Sequence, residues 1–153
     1  MHLLCAFLLG LVAGLRSMLA PTIVSWFARS GVLQVANTPL AFMGYQYTPI
    51  ILTVFAIGEL IVDKLPNTPS RKAPLGFITR IVTGGLSGAT IGAAGHSLVM
   101  GLILGVIGAI AGTYGGSAVR AKLAAVFGRD LPVALTEDVI GIAIAVLCLM
   151  GVK

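Results

Sequence analysis

Two arginines and two pairs of carboxylates stand inside stretches of this chain that are otherwise apolar, and they are the residues best able to do chemistry. Arg16, followed by Ser17 and one turn on by Pro21, falls near the middle of a long apolar run. A guanidinium at such a depth in a bilayer costs roughly 2.5 to 3.5 kcal/mol on insertion scales, so it is expected to face inward toward a partner or a substrate. Glu59 and Asp63 lie one helical turn apart and share a face. Glu137 and Asp138 open the last apolar run, where a helix N-terminus favours carboxylates. These four acids are the candidates for ion or proton coupling, with Glu59 also a candidate counter-charge for Arg16. Tyr114, in the run Gly112 to Ser117, and Arg120 complete a candidate substrate site of Arg16, Ser17, Glu59, Tyr114 and Arg120. Adjacent glycines beside Thr113 and Tyr114 make that run easy to unwind, and close packing without a break is the equal alternative. The segment from Asp63 to Arg80 is basic and rich in proline, so Lys64, Arg71, Lys72 and Arg80 are candidates for contact with phosphate head groups, or serve orientation alone.

The elements that must hold these residues are membrane helices. Hydrophobic residues make up 58% of the 153 positions and charged residues 10%, and mean hydropathy is +1.04. A chain this short has too little interior to hide so much apolar surface from water. About 20 apolar residues are needed to span hydrocarbon as a helix, and such stretches lie at 3–27, 46–64, 76–95, 98–117 and 134–151. The expected fold is therefore all-α, one polytopic domain of about five transmembrane helices. Strand alternation, which a barrel requires, is missing. Connections are expected at 28–45, at the proline loop 65–75, at a tight turn near Gly95 to Ser97, and at 118–132, where the fourth helix can continue for two turns until Gly128 and Pro132 stop it.

Charge supplies orientation. Five spans would put Lys64, Arg71, Lys72, Arg120, Lys122 and Arg129 on one side, with Arg80 just inside the third span, and only Arg29 and Lys153 on the other. Cytoplasmic loops retain Lys and Arg, so the N-terminus is expected in the cytoplasm and the C-terminus outside. This use of the cations removes the case for nucleic acid that a pI of about 9.7 would otherwise raise. A cleaved leader is not expected, because the first cation, Arg16, follows the opening apolar stretch. Cys5 and Cys148 fall near opposite faces in this scheme, and a disulfide within one chain is not expected.

Internal matches suggest a duplicated plan. Pro49, Leu52, Thr53, Ile57 and Gly58 align with Pro132, Leu135, Thr136, Ile140 and Gly141, while Arg16, Leu19 and Ala20 align with Arg120, Leu123 and Ala124. With an odd number of spans between partners, this is the pattern of an inverted-topology repeat. A second register, Gly10, Ala13 and Gly14 on Gly108, Ala111 and Gly112, competes for the first pair. Glycines at helical spacing, Gly84, Gly88 and Gly92 and then Gly108, Gly112 and Gly116, permit close helix packing within the chain or against a second copy, so a homodimer is expected.

The phrase Gly14-Leu15-Arg16-Ser17-Met18-Leu19-Ala20-Pro21, with Glu59, Asp63-Lys64-Leu65-Pro66, Arg71 and Arg80, resembles an uncharacterised family of small bacterial membrane proteins described as domain of unknown function 4126. The resemblance implies a bacterial inner-membrane location and no particular activity. With no zinc helix, Walker loop or nucleophile elbow, catalysis has little support, and no cofactor is expected. The leading expectation is a transporter-like protein for a small molecule or ion, in contact with membrane lipid. One alternative is a lipid head-group enzyme or flippase, with Asp63, Glu137 or Asp138 on a divalent cation; the other is a structural subunit.

Overall fold

The computed structural model describes residues 1–62, 74–129 and 131–152. Asp63, Lys64, Arg71, Lys72 and Lys153 lie outside the described residues, as does most of the proline loop. Among those described, the fold is all-α: α1 (His2–Leu15), α2 (Leu19–Arg29), a short 3-10 helix (Ala41–Gly44), α3 (Thr48–Val62), α4 (Pro74–Ala94), α5 (Leu98–Phe127) and α6 (Leu131–Gly151). By length and apolarity α5 and α6 are each able to cross a membrane, whereas α1 and α3 are shorter apolar helices.

Glycine sets the centre of the bundle. Gly84, Gly88 and Gly92 on α4 lie against the backbone of Ser97, Gly101 and Gly105 and against Ala109 on α5. Gly10 and Gly14 on α1 lie against Gly105, Ala109 and Gly112 on the same helix. A Cβ at Gly84 would come within 2.6 Å of the Ala109 Cβ and 2.9 Å of the Gly105 carbonyl oxygen, so the helices approach only because those side chains are absent. These ridges are consumed inside the chain, where the sequence had also left them open to a second copy.

The α4–α5 hairpin turns through Gly95 to Ser97, with His96 at φ 61° and the Ser97 amide donating to the Gly92 carbonyl at 2.7 Å. At the far end α5 runs on beyond the apolar stretch 98–117 to Phe127, the continuation that the sequence allowed. It stops at Gly128, in the left-handed conformation at φ 68°, whose amide donates to the Ala124 carbonyl at 2.9 Å. Pro132 follows in the first turn of α6, where a missing amide proton costs nothing. The run Gly112 to Ser117, a candidate for unwinding, is continuous helix.

The break falls instead in the first apolar stretch. Residues 3–27, expected as one span, are two helices separated at Arg16 to Met18. Arg16 is extended, at φ −140° and ψ 111°, and the Leu19 amide returns to the Arg16 carbonyl at 3.3 Å, closing a turn. From this turn α2 folds back and packs against α1, α4 and α6, with the Leu19 side chain on Gly141. Two short helices at an angle form because Pro21, lacking an amide proton, is tolerated in the first turn of a new helix but not in the middle of an old one.

This reversal corrects several expectations. Met1 lies beside Gly151, and His2 beside Gly95, so both chain ends and the α4–α5 turn share one end of the bundle. The Cys5 thiol donates to the Cys148 carbonyl at 3.2 Å, and the two cysteines are neighbours rather than residents of opposite faces. α1 runs parallel to α5, since Gly10 meets Gly105 and Gly14 meets Ala109 and Gly112. A parallel pair is not an inverted pair, so the register that sets Gly10, Ala13 and Gly14 on Gly108, Ala111 and Gly112 does not describe an inverted repeat. The competing alignment of Gly10 and Gly14 with Gly108 and Gly112 reflects packing: these glycines face one another.

Candidate functional site

The turn between α1 and α2 gathers the buried charges. Arg16 is 1% exposed, and its Nε donates to the Oδ1 of Asp138, itself buried about two turns into α6. On the other side of the turn the Glu59 carboxylate of α3 accepts three hydrogen bonds, from the Ser17 amide at 2.9 Å, the Ser17 hydroxyl at 2.6 Å and the Met18 amide at 2.9 Å. Both amides belong to the free N-terminal end of α2, where a carboxylate satisfies orphan donors and sits in the favourable field of the helix. Glu59 therefore does the work of an N-cap from a different helix, for α2 has no side-chain cap of its own. The partner of Arg16 in this ion pair is Asp138, where the sequence had offered Glu59.

Arg120 reaches the same helix one position earlier. Its guanidinium stands 3.7 Å from the Glu137 carboxylate, the two side chains being only 14% and 10% exposed. Consecutive residues of α6 thus hold two arginines from different helices, Arg16 through Asp138 and Arg120 through Glu137. A helix turns about 100° per residue, so the two pairs look out on different faces of α6. The Glu137 face opens on a cavity of about 320 Å³ between α1, α5 and α6, lined largely by carbon and including Leu11, Leu15, Gly115, Val119, Arg120 and Glu137.

The remaining candidates are dispersed. Tyr114 packs edge to face on Phe77, ring centroids 5.6 Å apart, on the outer surface of the α4–α5 pair; half its area is exposed, and it stands outside the buried cluster. Arg80 is buried within the first two turns of α4 and donates to the Gly76 carbonyl at 3.3 Å, a shielded position for a residue expected at a head-group surface. With Asp63, Lys64, Arg71 and Lys72 undescribed, the basic hairpin is represented here by Arg80 alone. Among the described residues no three His, Cys, Asp or Glu side chains converge as a metal site would require.

Several polar groups around the turn were not singled out in the sequence. Thr22 donates to the Met18 carbonyl at 2.5 Å and stands 3.0 Å from the Leu52 carbonyl, tying α2 to α3. On the same pair Trp26 Nε1 donates to the Thr53 hydroxyl at 3.0 Å. Thr83, Ser87 and Thr90 are buried on α4, yet each returns its hydroxyl to a carbonyl of the preceding turn, so the stripe is satisfied within its own helix. Their spacing along one face of an apolar helix was the signal available for them. Comparison with protein-family models, with curated proteins and with solved structures finds no match for this chain.

Proposed function

We propose that this chain is a small integral membrane protein of transporter type, whose substrate binds at the broken first helix. The observation that carries the reading is the seat of Glu59 on the Ser17 and Met18 amides beside the buried Arg16–Asp138 pair. Discontinuous helices expose backbone donors inside the bilayer, and transporters use such ends to hold anionic groups of a solute. Here a carboxylate of the protein occupies that end. An anionic or hydrogen-bond-accepting solute would take over the Ser17 and Met18 donors next to Arg16, releasing Glu59 and with it the contact that ties α3 to α2. Exchange of the resident carboxylate for a substrate group would be the trigger for access to alternate between the two sides. Tyr114 and Arg120, standing elsewhere, have no part in this step.

Membrane placement belongs to the same reading. Beyond α5 and α6 it is supported by the exposure of large apolar side chains on the outward faces of all the longer helices, among them Ile51, Phe55, Val82, Ile107, Val139 and Leu147. In a bilayer such a surface is solvated by lipid. α3 to α6 would cross, and α1 with α2 would enter and return as a hairpin. The basic end, with Arg120, Lys122 and Arg129, would face the cytoplasm by the cation rule, which leaves both chain ends on the opposite side. A bacterial inner membrane is the setting that the resemblance of Gly14 to Pro21 implies.

The test is accessibility of Ser17. In a chain carrying Cys5→Ser and Cys148→Ser, a Ser17→Cys thiol is expected to react with a membrane-impermeant reagent from either side, in right-side-out and inverted vesicles. Labelling from neither side would assign the charges at the turn to structure alone.

A further inference from the structure

We propose that the connection between α2 and α3 is a lipid anchor, seating its exposed aromatic side chains in the phospholipid head-group layer of one membrane leaflet. The inference rests on the membrane placement proposed above but not on transport through the broken helix. Composition sets the segment apart, for no Asp, Glu, Lys or Arg occurs from Ser30 to Gly58, whereas connections that run in water are polar. Around it stand the chain's only tryptophan, Trp26, and two of its three tyrosines, Tyr45 and Tyr47. The tyrosines are 62% and 68% exposed, and Phe42 and Trp26 also open on the surface. This exposure is built in rather than the product of a loose loop. Leu33, Val35 and Met43 are buried, and the Met43 carbonyl accepts from the Ser25 hydroxyl at 2.5 Å. The Thr48 hydroxyl donates to the Phe42 carbonyl at 2.6 Å, and Arg29 donates to the Gln46 carbonyl at 2.8 Å while its guanidinium stands 5.8 Å from the centre of the Trp26 ring. Aliphatic side chains fasten the segment inward, and aromatic ones are held out.

Two other surroundings suit this surface badly. Apart from the 3-10 helix of Ala41–Gly44 the segment is not helical, and irregular backbone facing lipid hydrocarbon leaves its amides and carbonyls without partners. In bulk water the rings of Phe42, Tyr45 and Tyr47 would forgo the gain from burying their apolar area. The head-group layer meets both demands, since it gives hydrogen bonds to backbone and hydroxyls and an apolar floor to the rings. Continuity with α3 selects lipid over a second protein: Ile50, Ile51, Val54 and Phe55 are exposed in its first two turns, so the aromatic patch lies where an apolar face begins. The anchor also sets a depth. α2 has 11 residues, which at 1.5 Å per residue make it about 16 Å long. With α2 along the membrane normal, the Ser17–Glu59 contact at its other end falls near the middle of a hydrocarbon layer about 30 Å thick.

Tryptophan emission measures that depth. The full chain is reconstituted into phosphatidylcholine vesicles whose acyl chains carry bromine either near the glycerol or near the methyl end, and quenching is compared with that by iodide in the water. Trp26 of the wild type is expected to lose more emission to the shallow bromine than to the deep one, and little to iodide. In a Trp26→Phe background, Tyr47→Trp should repeat the shallow profile, and Phe55→Trp, about 12 Å further along α3, should reverse it. Melting in detergent checks that these exposed substitutions fold, and the wild-type measurement stands without them. Stronger quenching of Trp26 by the deep bromine would sink the segment into hydrocarbon, and protection from all three quenchers would assign the surface to a second copy. Iodide quenching alone at positions 26 and 47, with a deep profile at 55, would put it in water, and one profile shared by 47 and 55 would lay α3 flat in the interface. Each of these overturns the anchor. Iodide quenching without bromine quenching at all three positions would instead defeat the membrane placement itself.

Discussion

Arg16 and Asp138, 122 positions apart in the chain, form an ion pair buried at the turn where the first apolar stretch reverses. Neither charge has water to fall back on. Removing one partner from such a pair typically costs about 3 to 5 kcal/mol, because the other is left uncompensated. Arg16→Met and Asp138→Leu are each expected to destabilise the protein by that order, and the double variant should be milder than the sum of the two. A double-mutant cycle of unfolding in detergent measures the coupling, and strict additivity would remove the pair as a stabilising unit.

Glu59 holds α2 to α3 through three donors of Ser17 and Met18. Glu59→Ala should cost about 2 kcal/mol, the size expected for charge-assisted bonds to a helix end. Glu59→Gln, which keeps a carbonyl acceptor but no charge, should lose less. The chain's single tryptophan, Trp26, bonds across the same two helices, so its emission should shift in Glu59→Ala and stay near the wild-type position in Glu59→Gln. Identical spectra in all three proteins would mean that Glu59 does not control the α2–α3 contact.

Glycines of the α4–α5 pair are expected to behave oppositely. A Cβ at Gly105 would lie against the Gly84 carbonyl, and at Gly88 against the Gly101 carbonyl, so Gly88→Ala should destabilise by about 1 to 3 kcal/mol through overpacking. Gly115→Ala, with nothing within 4 Å, should be neutral or stabilise by up to about 1 kcal/mol, because alanine has the better helix propensity. Denaturation of both variants in the same detergent checks the contrast, and similar effects at the two positions would contradict the packing described.

The Cys5 thiol and the Cys148 backbone are in contact at 3.2 Å. A short bifunctional thiol reagent should therefore link Cys5 to Cys148 within one monomer, giving a faster-migrating band that disappears in Cys148→Ser. A continuous first span, with the two cysteines at opposite faces, would yield no such band.

Topology can be read at chosen positions. In a background without native cysteines, Lys122→Cys should be labelled from the cytoplasmic side, and His2→Cys, His96→Cys and Gly151→Cys from the other side in intact cells. Labelling of positions 2 and 151 from opposite sides would restore the five-span arrangement.

Helix formation and its approximate limits were legible in the sequence wherever a local rule governs them. Long apolar runs without strand alternation specify helices, the Gly95 to Ser97 and Gly128 to Pro132 signals end them, and glycines four apart mark faces of close approach. Each of these is decided by a residue and its neighbours within a turn or two. The charges at Arg16, Glu59, Glu137 and Asp138 also stood out, since an ionised group in an apolar run requires a partner. Which partner it takes is a property of the assembled bundle. Arg16 meets Asp138 and Glu59 meets the α2 amides because the chain reverses at residues 16 to 18, and that reversal depends on a carboxylate arriving from α3 and on the packing of α2 against α1, α4 and α6. No window along the chain contains those groups together. The same reversal decides that Cys5 lies beside Cys148 and that α1 runs parallel to α5, because adding one turn to an otherwise regular order of antiparallel helices inverts the direction of every element that follows relative to the first.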